Sequence, residues 1–461
     1  MKRNKDLTSG SVFFGILTFA LPIILTSVIQ QLYNTADTII VGQFGGDTAL
    51  EREISIAAVG ACGGIIALFI NFFIGMSSGS GILVSHAVGA KNYDSLGNII
   101  HTSIITAGVC GIFISAVGII FARPLLIMVS TPDSVIEHAI LYMRAFFLGV
   151  PAQFIFNYCA AILRSSGNST TPLVILSISG ISNVILNVIT VAVFGMGALG
   201  VGIATAASNW ISFIMVIVYM ARSSGLCKFS LKELRVNFDT LKKILGFGIP
   251  TGISSSMFSI GNVVVQSAFN SLGSTVYMSG SSVADNVIIY SALTGNGIVQ
   301  AAQIFVGQNL GAGRMDRIKS GVKHGLLLSL GAIAITVSIV LIFQNPIFEL
   351  FAPGNYDVIE FAKTKTLIIL PMYIFGITNE FFAACMSGMG DTKTPMTVSI
   401  ICVCGIRIVW IYTVFAMFRN PYVLFAVYGI SWLISSIGQF IFYVRTRRKV
   451  EQSLLKNNAL V

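Results

Sequence analysis

The chain has 461 residues, of which 55% are hydrophobic and only 10% charged, with a mean hydropathy of +0.85 and a formal net charge of +10. So few charges cannot solvate the surface of a chain this long, which excludes a soluble globular protein and places most of the surface against lipid. The positive balance then reads as a collar at the headgroup level of an anionic leaflet, and a nucleic-acid partner is not expected.

Apolar runs of membrane-spanning length, roughly 20 residues or more, follow one another along the sequence. The first six run from Ser11 to Gly42, Ile54 to Val88, Ile99 to Phe121, Ile140 to Leu163, Leu173 to Met196 and Val201 to Ala221. Six more run from Ile244 to Leu272, Val276 to Leu310, Leu326 to Phe343, Leu367 to Gly388, Met396 to Phe418 and Tyr422 to Val444. Lipid offers no partner for backbone N–H and C=O groups, so runs this long and continuous are predicted to be helices rather than barrel strands. The first run exceeds the apolar stretch of a cleaved signal and reads as a transmembrane helix. An all-α membrane protein of twelve helices is predicted, in two pseudo-symmetric six-helix bundles around a central cavity.

The two sixes share one plan. Arg164-Ser165-Ser166-Gly167-Asn168-Ser169-Thr170-Thr171-Pro172 returns 223 residues later as Ser387-Gly388-Met389-Gly390-Asp391-Thr392-Lys393-Thr394-Pro395. Val88-Gly89-Ala90-Lys91 returns as Leu310-Gly311-Ala312-Gly313, and Pro22 as Pro250. The expected divisions are an amino-terminal lobe (1–221), a linker (222–243) with six basic residues, a carboxy-terminal lobe (244–449) and a tail (450–461). Gly89 and Gly311 are expected to end helices in the left-handed backbone region, and Pro172 and Pro395 to open the next ones. Duplicated bundles with a site between the copies are a common transporter design.

The termini and the loops on their side carry 21 Lys and Arg, against six on the opposite side, including Lys363 and Lys365. Both termini are therefore predicted to be cytoplasmic. The seven cysteines show no zinc spacing and read as small core residues, and the four scattered histidines form no HExxH. No catalytic cluster appears, so the chain is not read as an enzyme, and no cofactor is expected. Gly75 and Gly79 make a GxxxG pattern that reads as close helix packing. The segment around Lys393 lacks the spacing of a phosphate loop.

Function is sought among ionisable groups at hydrocarbon depth, where they are costly and persist where they face a cavity or a partner. Asp37 lies deep in the first run, about 15 residues after Pro22, with Gln30 and Asn34 on the same helical face. A carboxylate held there can exchange a proton or hold a small cation. Glu380 aligns with Asn157 at the 223-residue offset, and Arg407 sits in the neighbouring run, so the two are predicted to pair. Asp285 is either cavity-lining or interfacial. Asn183 and Asn187, four apart, and Thr205 supply uncharged oxygens that could orient an ion at Asp37.

Pro22 with Asn34-Thr35-Ala36-Asp37, His86-Ala87-Val88-Gly89-Ala90 answered by Gly307-Gln308-Asn309-Leu310-Gly311-Ala312-Gly313, and the Gly-to-Pro turns at 167–172 and 390–395 resemble the multidrug and toxic compound extrusion (MATE) transporters over essentially the whole chain. The resemblance implies export of organic, often cationic, compounds in exchange for H⁺ or Na⁺, with Asp37 as the coupling carboxylate and a bend at Pro22. It assigns ion coupling to Asp37, Asn34, Asn183, Asn187 and Thr205. The substrate cavity falls to Gln30, Tyr33, Asn157, Gln266, Asp285, Glu380 and Arg407. Where many bacterial members carry Asp in the fifth helix this chain has Asn187, and where another branch has an acid in the seventh it has Gln266. Losing the second acid leaves H⁺ and Na⁺ both open, with H⁺ favoured and Na⁺ at Asp37 the alternative. Alternating access by a monomer in the bacterial cytoplasmic membrane is the expected mechanism, with Met and Phe as adaptable walls. The alternative is a flippase for a lipid-linked precursor, whose cavity would carry several basic residues; Arg407 is the sole candidate for that role.

Overall fold

The computed structural model describes residues 5–129, 131–223 and 225–458; Lys2, Arg3 and the last three residues of the tail fall outside them. Among the described residues the regular structure is entirely helical, with twelve long helices. The first six are α1 (Val12–Phe44), α2 (Ala49–Gly89), α3 (Asp94–Ile120), α5 (Asp133–Ser165), α6 (Thr170–Val193) and α7 (Gly197–Arg222), with the short α4 (Ala122–Met128) before α5. The second six are α8 (Phe238–Asn270), α9 (Thr275–Gly311), α10 (Met315–Ile342), α12 (Tyr356–Gly388), α13 (Lys393–Phe418) and α14 (Pro421–Asn458), with the short α11 (Gln344–Phe351) before α12. Eleven of the twelve are long and apolar enough to cross a membrane on length and composition alone; α9 is the exception because Ser, Thr, Asn and Gln interrupt it.

Each predicted run falls on a helix; α6 and α8 stop at Val193 and Asn270, short of the expected Met196 and Leu272, whereas other helices extend past the apolar residues. α10 begins at Met315 rather than Leu326 and α12 at Tyr356 rather than Leu367. Hydropathy marks only the part of a helix that meets hydrocarbon, whereas the backbone continues until a cap stops it. At the start of α2 the cap is a capping box: Glu51 N donates to Thr48 Oγ1 (3.2 Å) while Glu51 Oε2 accepts from Thr48 N (3.1 Å).

The helices form two compact units, one of Met1–Lys5 with Leu25–Ile249 and one of Asp6–Ile24 with Pro250–Val461. Residues 6–24 thus belong with the second unit, where the sequence reading had assigned 1–221 to one lobe. Ile16, Phe19, Ala20 and Ile23 are buried with Ile298, Ala301, Ile304 and Phe305 of α9, and this apolar contact outweighs chain proximity. The first unit is built around α5, which packs on α2, α3 and α7; the second around α12, which packs on α9, α10 and α14. Both central helices are 33 residues long, start 223 residues apart and carry one proline each, Pro151 and Pro371.

The repeated motifs resolve into concrete contacts. In the first unit a side chain at Gly79 would meet Ile244 O at 2.5 Å and Gly248 N at 2.6 Å, so the GxxxG face brings the α2 backbone against α8. Gly89 and Gly311 are the last residues of their helices; the left-handed residues come two positions later, at Lys91 (φ 53°) and Gly313 (φ 67°). This corrects the expectation, because the helices run through the glycines before the chain turns. Gly167 (φ 94°) and Gly390 (φ 89°) do make the left-handed turns before Pro172 and Pro395. In the second unit Gln308, Asn309 and Arg317 clasp the chain that leads into α1. Gln308 Oε1 accepts from Leu7 N (3.3 Å), Asn309 Nδ2 donates to Leu7 O (3.2 Å), and Arg317 donates to the carbonyls of Leu7, Ser9 and Gly10. Burial alone would raise the Asp6 carboxyl, but hydrogen bonds from Thr8 and Ser9, helped by Arg317, hold it below its usual range.

The 222–243 segment is docked on the first unit rather than free. Cys227 and Phe229 are buried in its core, His101 Nε2 accepts from Ser230 N (3.3 Å), and Asn237 N donates to Thr102 Oγ1 (3.1 Å). All seven cysteines are free thiols.

The Gly79 contact sets an expected outcome. Gly79→Ala should destabilise the protein by about 1–3 kcal/mol through overpacking, seen as a lower melting temperature in detergent. Gly63→Ala, where nothing lies within 4 Å of the added carbon, should leave melting unchanged or raise it. Equal melting of the two variants would contradict the close α2–α8 approach.

Candidate functional site

In the first unit the polar residues singled out on α1, α6 and α7 converge. Asn187 is wholly buried and Asn183 is 1% exposed, one helical turn apart on α6. Asn187 Nδ2 donates to Asp37 Oδ1 at 2.6 Å and to Asn183 Oδ1 at 3.2 Å; Asn183 Nδ2 in turn donates to Ser208 Oγ of α7 at 3.5 Å. Thr205, on the turn of α7 before Ser208, lies close enough to act on the Asp37 carboxyl. Beside it, Asn187 Oδ1 is buried without a hydrogen-bond partner among the described residues. A buried acceptor left in this way is costly, and a proton or small cation shared with the carboxyl would satisfy it.

Local backbone geometry helps to place the amide. Immediately after Asn187 the helix changes to a π-helical segment, Val188–Val193, in which Thr190 Oγ1 also bonds Gly200 O of α7 at 3.0 Å. Such segments are concentrated at functional sites, where they re-aim side chains.

Other expected members fall outside this network. Asn34 is exposed and is not among the groups bonded to Asp37. Gln30 serves Tyr33 instead, and Tyr33 lies beside Asp37. Tyr33 also lines an apolar groove of about 350 Å³ between α1 and α6, with Ile29, Leu32, Ala36, Gly180 and Val184. Tyr142 of α5, buried and close to Asp37, was not singled out by the sequence, since an aromatic in an apolar run carries no polar signal. Pro22 lies inside α1, three residues before the chain joins the first unit at Leu25.

In the second unit the expected Glu380–Arg407 pair does not form: neither belongs to an ion pair among the described residues. Glu380 is half-buried on α12, as Asn157 is on α5. Arg407 is wholly buried; its Nη1 donates to Asn262 Oδ1 of α8 (2.7 Å) and its Nε to Ser431 Oγ of α14 (3.3 Å). Gln266 is not deep in α8 as expected. It lies in the last turn and bonds Asn270 (3.1 Å), because the helix ends four residues on. Asp285 finds a partner that the sequence reading had put among the residues of the opposite loops and helix ends. Lys365 Nζ donates to its Oδ1 at 2.7 Å and to Ser281 Oγ at 2.7 Å, with the ammonium 5.2 Å from the Phe269 ring centre. The Lys365 side chain is 0% exposed and that of Asp285 41%.

A duplicated all-helical chain with one acid in a buried amide network admits comparison with known proteins. The MatE family model matches residues 22–189 and again 250–413, one match in each half. The chain belongs to the MatE family. It is 27% identical over 408 residues to the probable multidrug resistance protein YoeA of Bacillus subtilis, covering 86% of each chain. It is 23% identical to the probable multidrug resistance protein YpnP of the same organism, covering 95% of this chain and 96% of that one. A solved multidrug resistance MATE family transporter of the MOP superfamily, in an outward-facing conformation, superposes with a TM-score of 0.89 over 98% of this chain and 99% of that one, at 17% identity. This MatE chain is therefore a multi-pass membrane protein of a multidrug efflux family, with the two-bundle helical fold.

The asymmetric exposure of the Asp285–Lys365 pair gives an ordered expectation. Asp285→Asn strands a buried ammonium and should cost up to about 3–5 kcal/mol, whereas Lys365→Met leaves a carboxylate that is already 41% exposed and should cost less. Melting curves of the two variants check the order, and a more stable Asp285→Asn would reverse it.

Proposed function

We propose that this MatE chain is a secondary antiporter that exports organic, chiefly cationic, compounds in exchange for H⁺, with Asp37 as the coupling carboxyl. The observation that carries this reading is the 2.6 Å bond from Asn187 to Asp37 inside a buried network. The amide presents its N–H to the carboxyl, so a sodium ion would have to displace that donor. A proton can settle on the second carboxyl oxygen with the bond kept. Having Asn187 instead of a second acid also removes one of the negative charges that a metal ion would need nearby.

In the proposed cycle the protonated and ionised forms of Asp37 favour differently exposed states of the transporter. A cationic compound favours the ionised form, so proton and compound compete and each drives the other's release. The apolar groove beside Tyr33 offers an organic cation a surface next to the charge. Names of relatives such as YoeA and YpnP, each a probable multidrug resistance protein, support the substrate breadth. The predominance of basic residues on one side of the sequence supports cytoplasmic termini in a bacterial cell membrane, with the chain working as a monomer.

The test is efflux of the cationic dye ethidium from proteoliposomes under an imposed proton or sodium gradient. Wild type should respond to the proton gradient, and Asp37→Asn should lose the response by about 5- to 150-fold, the usual range of coupling between sites. Transport driven by sodium alone, or unaltered in Asp37→Asn, would refute the assignment.

A further inference from the structure

The segment between α7 and α8 is pinned to α3 at two points and stands off it in between. His101 Nε2 accepts from Ser230 N (3.3 Å) and Thr102 Oγ1 from Asn237 N (3.1 Å), so residues 231–236 form an arch with both feet on one turn of α3. One 3₁₀ turn, Leu231–Glu233, shapes the arch. Beneath it lies an open cavity of about 550 Å³, walled by Asp94, Asn98 and His101 of α3 and by Lys232, Glu233 and Arg235 of the arch. With Nε2 accepting, Nδ1 of His101 carries the ring proton and donates to Gly97 O (2.6 Å), which fixes that wall.

The charges around this cavity balance, Lys232 and Arg235 against Asp94 and Glu233, yet none of the four belongs to an ion pair among the described residues. Arg235 Nε donates to the neutral Asn98 Oδ1 (3.1 Å), which ties the guanidinium to the wall. Open charges of both signs suit a ligand that carries both, a phosphate for the bases and an ammonium for the carboxylates. The depth of the cavity says where such a ligand comes from. The apolar run of α3 starts at Ile99, directly after Asn98, and the adjoining helix ends carry Arg222 of α7 and Lys242 and Lys243 of α8, as at a headgroup layer. Leu231 and Phe238 at the ends of the arch are 74% and 78% exposed, and Leu234 and Val236 between them are exposed too. Large apolar side chains left open beside a charged cavity, where a helix enters hydrocarbon, are accounted for by acyl chains.

We propose that the arch holds the headgroup of an ethanolamine phospholipid. The phosphate meets Lys232 and Arg235, the ammonium meets Asp94 and Glu233, and the acyl chains run past Leu231 and Phe238 into the leaflet on the linker's side. A choline headgroup has no N–H to donate to the carboxylates, and a glycerol headgroup sets them against a net negative ligand, so the site separates ethanolamine from both. The bound lipid gives the arch a third attachment between its two feet.

The test is native mass spectrometry of the purified full-length protein with dioleoyl lipids that differ in headgroup alone. Wild type should bind phosphatidylethanolamine about tenfold more tightly than phosphatidylcholine or phosphatidylglycerol, the scale of a hydrogen bond to a charged group. Lys232→Gln combined with Arg235→Gln should weaken phosphatidylethanolamine by about tenfold or more. Asp94→Asn combined with Glu233→Gln should weaken it by about tenfold and leave phosphatidylglycerol unchanged or more tightly bound, a split that mere loosening of the arch would not give. All four residues are exposed, so these variants leave the core intact; Lys228→Gln, exposed on the same segment but outside the cavity, should change nothing. Equal binding of the three lipids by wild type, or an effect of Lys228→Gln as large as that of the double variants, would overturn the proposal. So would binding of soluble phosphoethanolamine as tight as that of the lipid. No gradient enters the measurement, so its outcome is independent of the antiporter reading.

Discussion

The cost of holding a charged or unpaired polar group away from water governs this protein. In a bundle surrounded by hydrocarbon each such group must be neutralised, hydrogen-bonded or assigned work, and the three buried sites meet that demand differently. Asp37 is held by an amide with its oxygen to spare, Lys365 is fully compensated by Asp285 and Ser281, and Arg407 is held by neutral groups with Nη2 unmet among the described residues. The first arrangement suits an exchangeable proton and the second a fixed strut.

The duplicated scaffold supplies the same framework twice and lets chemistry diverge on it. α5 and α12 are matching central helices, the Gly-to-Pro turns take the same left-handed geometry at Gly167 and Gly390, and π-helical segments interrupt both α6 and α13. On that shared frame the polar residues differ, with Asn157 answered by Glu380 and the Asn183 region by Arg407. Backbone and small residues carry what the copies have in common, because helix packing tolerates little change in volume. Side chains at the interior polar positions carry what separates them.

The sequence by itself determined the solvent, the helix count, the duplication and the family, because hydropathy and turn chemistry are local properties that repeat along the chain. It also selected Asp37, Asn183, Asn187 and Thr205, since polar residues in an apolar run stand out wherever they fall. Tertiary structure decided their partners. Asp285 meets Lys365, which reads in the sequence as an interfacial residue; Arg407 meets Asn262 and not Glu380; Gln266 ends a helix; and residues 6–24 join the second unit. Each of these depends on which face a helix turns toward its neighbours, and that is fixed by packing between segments far apart in the chain, a quantity no local pattern contains.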